Sequence, residues 1–422
     1  MTALDIRHVL ADWQIIAAWI VFLASYFVFA FGRLPGTKID RPAMAVVGAV
    51  LMFVFRILTP QTAIESVDFG TLVLLFAMML IVASLHLAGF FDWVGNRVIL
   101  HLAPRQLLPG VIFTSGILSA FLVNDVVCLF MAPLVLGICK RMGLRPLPPY
   151  LLALATASNI GGVATITGNP QNMLIGTVSG IAYRDFLAHL GPVAVIGLFL
   201  DWAILHWAYV RGNIAAVDPQ PEISEANVVS APANRRMLWP VMITIAVLAG
   251  FLLGFHPPLV AAAGGALLLV RRTREPRDVY GDVDWSLLVL FLGLFLIIGG
   301  AEQEGVTSQL LRAAERLNLH HSLVFVSMVA LLSNLVSNVP AVMLLKGLIP
   351  RFQDPHTMWL MLGMSSTLAG NLTITGSVAN IIVVEKTRTV THISFLDYMK
   401  TGVPVTIATL AVGLLCLNFV RY

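Results

Sequence analysis

Charge is scarce in this sequence: only 11% of its 422 residues are Asp, Glu, Lys or Arg. A soluble domain usually carries about 25% charged residues. Hydrophobic residues make up 58% of the chain, and the mean hydropathy is +0.88. Apolar runs of roughly 17–25 residues recur along its whole length, which is the span of a membrane-crossing helix. The shortage of charge therefore excludes an ordinary soluble protein and predicts an all-α membrane protein.

The chain has few cysteines and lacks several common catalytic motifs. The three cysteines, Cys128, Cys139 and Cys416, lie in apolar surroundings and are too few for a disulfide framework. We find no GxxxxGK[ST] loop, no HExxH and no GxSxG in a usable context. These absences predict no enzyme activity, no bound cofactor or metal and no ATP hydrolysis by this chain. The net charge of +4 is not evidence of binding to nucleic acid, because the positions of basic residues in a membrane protein mainly follow its topology.

Twelve apolar segments organise the chain. Ten are predicted to span the membrane: 15–31, 42–58, 70–90, 149–178, 188–209, 237–256, 258–271, 285–301, 357–385 and 401–420. The other two, 107–139 and 321–350, are interrupted midway by polar residues. A continuous helix of either length would be far too long for a simple span. We therefore predict that both are re-entrant hairpins.

The distribution of basic residues predicts the orientation. An N-terminus outside the cell places most of the 26 Lys and Arg residues in the cytoplasm, as membrane proteins prefer. Hairpin 107–139 then enters from the cytoplasm, and hairpin 321–350 enters from outside. The segment 211–236 combines proline, acidic residues and serine, which predicts a cytoplasmic linker between two halves.

Three landmarks recur in the same order in the two halves of the chain. The pairs are 67–94, which begins VDFGTLVLLF, with 283–310, which begins VDWSLLVLFL; SAFLVNDVV (119–127) with SNLVSNVPA (333–341); and TITGNPQN (165–172) with TITGSVAN (373–380). We count five spans in each half, and an odd number requires that the halves have opposite topology. The chain is thus predicted to be an inverted-repeat secondary transporter, with one repeat over 1–210 and the other over 237–422.

Two of the spans are predicted to be broken helices. Gly161, Gly162, Gly168 and Pro170 interrupt 149–178, and Gly370 and Gly376 interrupt 357–385. Unwound backbone at membrane depth is tolerated where it is buried in protein or lines a polar cavity. Small residues can also serve close helix packing. A duplicated motif that follows a polar hairpin tip in both halves favours a transport site.

These segments resemble the ion transporter superfamily, and most closely its arsenite permease and sodium/proton antiporter branch (ArsB/NhaD type). The resemblance is carried by FLVNDVVCLFMAPLVLGI, ASNIGGVATITGNPQNMLIG, LVSNVPAVMLL and STLAGNLTITGSVANIIVVE. It implies a transport domain that contains the hairpins and broken helices, a scaffold domain, a homodimer and elevator-like movement. It also implies a bacterial or archaeal plasma membrane, and it leaves open an ArsA-like cytoplasmic ATPase as a partner.

The hairpin tips depart from a related pattern. Divalent-anion/sodium symporters of the same superfamily carry Ser-Asn-Thr at each tip, whereas these tips read Val-Asn-Asp (123–125) and Ser-Asn-Val-Pro (337–340). The missing threonines remove hydroxyl donors for a carboxylate, and Asp125 adds a negative charge. Both differences argue against a di- or tricarboxylate substrate.

Amides and hydroxyls dominate the predicted solute site. The candidate solute-binding residues are Asn124, Asn159, Thr165, Thr167, Asn169, Asn172, Ser337, Asn338, Asn371, Thr373, Thr375 and Asn380. Such groups donate and accept hydrogen bonds without requiring a charged partner. They suit the neutral hydroxides As(OH)3 and Sb(OH)3.

Asp125 is the predicted ion-coupling residue. A charge at the bilayer centre costs about 2.5–3.5 kcal/mol on insertion scales, so selection rarely retains one without a function. Its carboxylate could carry a proton or bind Na+, although a hairpin-capping role is the structural alternative.

Asp201 and His206 share another span, and for them an interfacial or scaffold role is favoured over a proton path. Cys128 is interpreted as a small apolar packing residue rather than a ligand for As(III).

Three transport hypotheses follow, with a channel as a different class. The first is efflux of arsenite or antimonite in exchange for protons. The second is sodium/proton antiport without a further solute, and the third is sodium-coupled anion symport. The duplicated broken-helix plan favours a carrier over a channel.

Overall fold

The computed structural model describes residues 3–34, 36–96, 102–145, 147–210, 215–216, 234–271, 275–315 and 317–419. Within these ranges, five helices are long and apolar enough to cross a membrane: Trp13–Phe31, Phe69–Leu87, Tyr183–Tyr209, Trp285–Gln303 and Phe395–Phe419. Shorter apolar helices cover Arg41–Val54, Arg236–Leu252, Pro257–Val270 and Ser322–Val336. The predicted helical membrane protein with several spans is confirmed.

In the described part of the chain, ten α-helices precede the linker. They are α1 (Ala3–Phe31), α2 (Arg41–Val54), α3 (Pro60–Ser66), α4 (Phe69–Leu87), α5 (Phe90–Val94), α6 (Leu107–Phe121), α7 (Asn124–Arg141), α8 (Pro148–Gly162), α9 (Pro170–Ser179) and α10 (Tyr183–Leu205). A π-helical turn, His206–Val210, extends α10. A 3-10 turn at Pro104–Gln106 leads into α6, and another at Ile166–Gly168 lies between α8 and α9.

Ten further helices follow the linker. They are α11 (Asn234–Leu252), α12 (Pro257–Val270), α13 (Pro276–Gly281), α14 (Trp285–Gln303), α15 (Val306–Glu315), α16 (Ser322–Val336), α17 (Asn338–Leu345), α18 (Pro355–Ala369), α19 (Val378–Thr387) and α20 (Phe395–Phe419). 3-10 turns lie at Ile349–Arg351 and at Ile374–Gly376.

Two details correct the sequence-based boundaries. A short antiparallel pair, β1 (Leu144–Arg145) with β2 (Ala215–Ala216), adds a minor strand element to the all-α prediction. Helix α11 already begins at Asn234, so the predicted linker 211–236 extends three residues into a helix. Most of that linker, 211–214 and 217–233, lies outside the described residues.

The repeated Val-Asp-aromatic motif is a helix start. Asp68 Oδ1 accepts a hydrogen bond from the backbone N–H of Thr71 at 2.7 Å, which caps α4. Asp284 Oδ1 does the same for Leu287 at 3.0 Å, which caps α14. An N-terminal turn leaves backbone N–H groups without partners, and an aspartate side chain satisfies one of them. The first landmark of the repeat therefore has a local structural cause.

Helix packing is reciprocal between the halves. Helix α4 packs on α12, and its counterpart α14 packs on α2. Likewise α1 contacts α2 as α11 contacts α12, and α8 contacts α10 as α18 contacts α20. Helices α10 and α20, which are counterparts of each other, pack together. The contacts that one half makes are thus repeated by the equivalent elements of the other.

Both long apolar segments fold as paired helices, and both glycine-containing spans are interrupted. Helices α6 and α7 contact each other across a tip at 122–123, and α16 and α17 contact each other across Ser337. Helix α8 ends at Gly162 and α9 begins at Pro170, while α18 ends at Ala369 and α19 begins at Val378. These two tips and two breaks position the site.

Candidate functional site

Six helices begin at the wall of one cavity of about 160 Å³, and besides α2 and α14 there are four that follow a hairpin tip or a helix break. They are α7 and α17, which follow the two hairpin tips, and α9 and α19, which follow the two helix breaks. The lining residues are Arg41, Pro42, Asn124, Asp125, Pro170, Gln171, Asp284, Ser286, Leu287, Leu290, Ser337, Asn338, Val339, Pro340, Ser377 and Val378. The first turn of a helix presents partial positive charge, so four such turns make the cavity favourable for electron-rich oxygen atoms.

Three ionisable side chains lie on the cavity wall. Asp125, in the first turn of α7, is partly buried and lies against the backbone N–H of Ala379 in α19. Asp284 is the N-cap of α14. Arg41 is held by a hydrogen bond of 2.9 Å from its Nε to the carbonyl of Phe29. One guanidinium and two carboxylates allow the cavity to hold a cation or proton together with a polar solute.

Asn159 of α8 is the centre of a hydrogen-bond network between the halves. Its Nδ2 donates to Oδ1 of Asn371 at 2.8 Å and to Oδ1 of Asn380 at 3.0 Å. Its Oδ1 accepts from Nδ2 of Asn124 and from Oγ of Ser377, both at 2.9 Å. Both polar atoms of the amide are therefore fully used, and a satisfied buried network of this kind specifies one arrangement.

Thr367 of α18 occupies the position that the TITG alignment pairs with Asn159. Its Oγ1 accepts from Nδ2 of Asn169 and from Nε2 of Gln171, both at 3.1 Å, and contacts Oδ1 of Asn172 at 3.4 Å. The network centred on Asn159 of the first half thus has a counterpart centred on Thr367 of the second half, which bonds to residues of the first. Sequence analysis missed Thr367 and Gln171, although extending the repeat alignment by six residues would have found Thr367.

The asparagine that ends each TITG motif closes its helix break. Asn172 Nδ2 donates to the carbonyls of Gly162 and Thr165, both at 3.1 Å. In the other half, Asn380 Nδ2 donates to the carbonyls of Gly370 at 2.7 Å and Thr373 at 3.0 Å. A buried carbonyl freed by an interrupted helix needs such a partner. The shared Thr-Ile-Thr-Gly-x-x-x-Asn spacing is thereby explained.

The predicted site residues fall into two groups. Four of them line the cavity: Asn124, Asp125, Ser337 and Asn338. The others do not line the cavity: Asn159, Thr165, Thr167, Asn169, Asn172, Asn371, Thr373, Thr375 and Asn380. All of them except the partly buried Thr373 and the exposed Thr375 are buried. Among the described residues, Asn124 Oδ1 is buried without a hydrogen-bond partner. Sequence analysis did not find Arg41, Gln171, Asp284 or Ser377.

The two helix breaks differ in their exposure. Thr165 and Thr167 are fully buried, with Thr165 Oγ1 bonded to the carbonyl of Ala120 and Thr167 Oγ1 2.9 Å from the hydroxyl of Tyr183. Their counterparts are more open, because Thr373 is only partly buried and Thr375 is exposed. Equivalent elements of the two halves therefore stand in different environments in this conformation.

Ser337 at the second hairpin tip has a strained backbone. Its φ of 77° and ψ of 158° lie in a region that is essentially restricted to glycine. Strain of this kind costs about 1–3 kcal/mol and persists where the surroundings enforce it. The distortion places Asn338 at the cavity. With its amide oriented to suit its neighbours, Asn338 donates to the carbonyl of Gly376 at 3.2 Å.

Comparison with known families identifies the type of protein. A family model described as citrate transporter, CitMHS, matches residues 26–362, which is well over half of the chain. The chain belongs to the CitMHS family. It is a secondary membrane transporter of the ion transporter superfamily, and the prediction that it is not an enzyme is confirmed.

Relatives of this CitMHS transporter match along nearly their full length. A 46 kDa membrane protein of Mycobacterium leprae is 29% identical over 93% of this chain and 97% of its own. The silicon efflux transporter LSI3 of Oryza sativa subsp. japonica is 28% identical over 95% and 97%. A Dictyostelium discoideum protein that carries the name arsB is 25% identical over 93% and 90%. The multi-pass membrane location is confirmed.

A solved structure supports the same fold. The YdaH transporter of Alcanivorax borkumensis superposes with a TM-score of 0.54 over 97% of this chain and 98% of that one. The sequences are only 14% identical, so this likeness concerns the fold alone. The family is thus shown at the level of CitMHS, which is coarser than the predicted arsenite permease and antiporter branch.

Proposed function

We propose that this CitMHS transporter exports a small neutral metalloid hydroxide, with As(OH)3 and Sb(OH)3 as the first candidates, in exchange for protons. One observation carries the proposal. Both hairpin tips, the beginnings of four helices and the Asp125 carboxylate converge on one small cavity. A neutral hydroxide would accept hydrogen bonds from the helix N-termini and donate to oxygens of the wall such as the Asp125 carboxylate.

Cavity size favours a small inorganic solute. The volume of about 160 Å³ is below the roughly 300–1,000 Å³ of pockets for drug-sized organic molecules. The polar lining is built mainly from amides, hydroxyls and backbone groups, which bind a neutral polyhydroxide without charge neutralisation. The departure of both tips from Ser-Asn-Thr also argues against a di- or tricarboxylate, whatever the description of the family.

The rice relative supports the same chemical class. Its name specifies silicon efflux, and silicon dissolved in neutral water is mainly the uncharged hydroxide Si(OH)4. As(OH)3 and Sb(OH)3 are also uncharged, and they also carry several hydroxyl groups on a central metalloid atom. A site built for one member of this class needs little change to accept another.

The transport cycle follows from the inverted repeat that we propose for 1–210 and 237–422. Reciprocal packing of α4 on α12 and of α14 on α2 supports this plan. The different exposure of Thr167 and Thr375 supports alternation, because exchanging the environments of the two halves would expose the opposite side of the site. In this proposal the N-terminus is outside, and the transport domain moves like an elevator within a homodimer. No ATPase partner is required.

Asp125 is the coupling residue in this proposal. It shares the cavity with the solute and contacts α19, an element of the other half, so its protonation state can affect both binding and the contact between halves. Loading a proton from outside would follow release of the solute there. Loss of that proton to the cytoplasm would then favour binding of the next solute.

The test is transport in everted vesicles that carry the full-length protein. An imposed pH gradient, acid inside, should drive arsenite uptake without sodium, and Asp125→Asn should abolish it. Asp397→Asn is the matched control, because Asp397 is exposed, pairs with Lys400 and does not line the cavity. Full gradient-driven uptake by Asp125→Asn would refute the coupling role. Absence of sodium-independent uptake by the wild-type protein would refute arsenite–proton exchange.

Arg41 gives the anion hypothesis a specific basis. A guanidinium on the cavity wall beside four helix N-termini could hold an anionic solute, with Na+ at Asp125. Sodium-dependent uptake of labelled sulfate or succinate into right-side-out vesicles, lost in Arg41→Gln, would favour this alternative. Sodium-dependent proton movement without any other solute would favour sodium/proton antiport.

A further inference from the structure

Asp201 of α10 is a buried carboxyl group away from the cavity. Its exposed fraction is 0%, although an interfacial or scaffold position was favoured from the sequence. Oδ2 accepts a hydrogen bond of 3.0 Å from Oγ1 of Thr156 in α8. Oδ1 has no partner among the residues that the structure describes. The transport site described above makes no use of this group.

The surroundings of Asp201 favour a bound proton. In the described parts of the chain, no basic side chain forms an ion pair with it. The buried phenol of Tyr398 in α20, a helix that packs on α10, is close enough to be affected by its charge. The α8 side supplies only the Thr156 hydroxyl. An isolated carboxylate buried at such a place is costly, whereas the neutral acid is not. Hard metal cations need several oxygen ligands, which this pair does not provide.

The second half shows that the fold does not need this polar pair. Asp185 and Pro192 of α10 align with Asp397 and Pro404 of α20, so Gly413 corresponds to Asp201. The TITG alignment likewise pairs Thr156 with Met364 of α18.

Gly413 and Met364 fill the equivalent contact. A Cβ atom added to Gly413 would overlap the sulfur atom of Met364. The same helix contact is therefore closed by a glycine and a methionine in one half and by an aspartate and a threonine in the other. Since apolar packing suffices for the architecture, the carboxyl group calls for a functional reason.

Hydrogen bonds connect this pair to the cavity. Asn371 Nδ2 donates to the carbonyl of Thr156 at 3.2 Å, and Asn371 Oδ1 accepts from Asn159. Asn159 in turn accepts from Asn124 on the cavity wall, next to Asp125. Thr156 therefore contacts Asp201 through its hydroxyl and the network of the hairpin tip through its carbonyl.

We propose that Asp201, with Thr156, is a second proton-binding site of the transport cycle, closed off in this conformation. The carboxylate takes up one proton in one access state and releases it in the other, and no other bond forms or breaks. This inference rests on the proposed proton coupling. It adds one proton per cycle to the proton carried at Asp125.

Infrared spectroscopy of the purified full-length protein tests the site without any solute. The C=O stretching band of a protonated carboxylic acid should be present at neutral pH, should disappear in Asp201→Asn and should remain in Asp397→Asn. Asp125→Asn must leave that band in place, which distinguishes the two sites. If Asp201→Asn leaves every carboxylic acid band unchanged, Asp201 holds no proton and the proposal is overturned.

A transport measurement tests the role. The ratio of protons to arsenite, obtained from reversal potentials in proteoliposomes, should fall by one proton in Asp201→Asn. The double variant T156M/D201G, which copies the pair of the second half, should fold and show the same lowered ratio. An unchanged ratio in both variants would refute the coupling role. If the wild-type protein moves no arsenite, the proposed function fails, while the infrared result still decides whether Asp201 binds a proton.

Discussion

The side-chain amide of Asn159 donates to the side-chain oxygen of Asn380 across 3.0 Å, although 221 positions separate the two residues. Asn380 uses its own Nδ2 to close the helix break of the second half. The two halves are thus joined at the point where their backbones are interrupted. In the proposed cycle, binding at the cavity and movement of either half would be linked through this network.

Removal of the Asn159 amide should weaken the whole protein. Asn159→Ala leaves buried groups of Asn124, Asn371 and Asn380 without partners, and each unsatisfied group costs about 1–3 kcal/mol. We expect a clearly lower thermal unfolding midpoint in detergent. Asn418→Ala, at an exposed amide bonded to Ser322, should change stability by only about 0.5 kcal/mol. Equal shifts in both variants would contradict the central role of the network.

Glycine at the second hairpin tip should relieve strain. Ser337→Gly removes the Cβ from a residue with φ of 77°, which relieves strain of about 1–3 kcal/mol before the entropic cost of glycine is subtracted. A net gain in unfolding free energy is expected. Ser337→Ala is the matched control, because it loses the same hydroxyl but keeps the Cβ. A gain of the same size in Ser337→Ala would mean that the hydroxyl, not the backbone, causes the effect.

Two glycine-to-alanine changes should have opposite signs. Gly161 lies against the backbone of Gly116, so the Cβ of Gly161→Ala would overlap atoms that cannot rotate away. That variant should be destabilised and should lose transport. Gly137 lies inside α7 with open space around the position of a Cβ atom, and Gly137→Ala should gain about 0.5–1 kcal/mol from helix propensity. Chemical unfolding of both proteins measures the contrast, and shifts of the same sign would disprove it.

Stability at the aqueous end of α18 should depend on pH through Asp354. Hydrogen bonds from Thr357, together with the nearby His356, hold the pKa of this N-cap carboxyl below its usual range. Because the folded-state pKa is lowered, the contribution is present above the ordinary aspartate pKa and is lost as the pH falls through the folded value.

Asp354→Ala should therefore cost about 0.5–2 kcal/mol at neutral pH, and the difference from wild type should shrink in acid. Asp354→Asn keeps a capping side chain without a titrating group, and its difference from the alanine variant should not vary with pH over the same range. Thermal unfolding across a pH series measures both differences. A constant gap between wild type and Asp354→Ala would show that the cap does not depend on ionisation.

Much of the site could be predicted because its signals are local and repeated. The glycines and proline of TITGNPQN interrupt a helix wherever they stand in the chain, and the polar residues of VND and SNVP cannot remain inside a long apolar helix. Asn124, Asp125, Ser337 and Asn338 were found for this reason, and all four line the cavity.

Other contributors could not be predicted, because nothing near them in the sequence distinguishes them. Arg41 resembles any basic residue at the end of a span, yet it lies on the cavity wall. Asp201 resembles an interfacial aspartate, yet it is fully buried. Asn172 and Asn380 were predicted as solute ligands, and the structure places them where they satisfy backbone carbonyls.

The sequence by itself determined that this chain is a helical membrane protein with a duplicated pattern of hairpin tips and helix breaks. Composition, period and helix-breaking residues act through short-range physics, so they can be read along the chain. Only the tertiary structure decided which polar groups meet which. A hydrogen bond between side chains more than 200 positions apart depends on the relative placement of whole helices, and no local pattern encodes that distance.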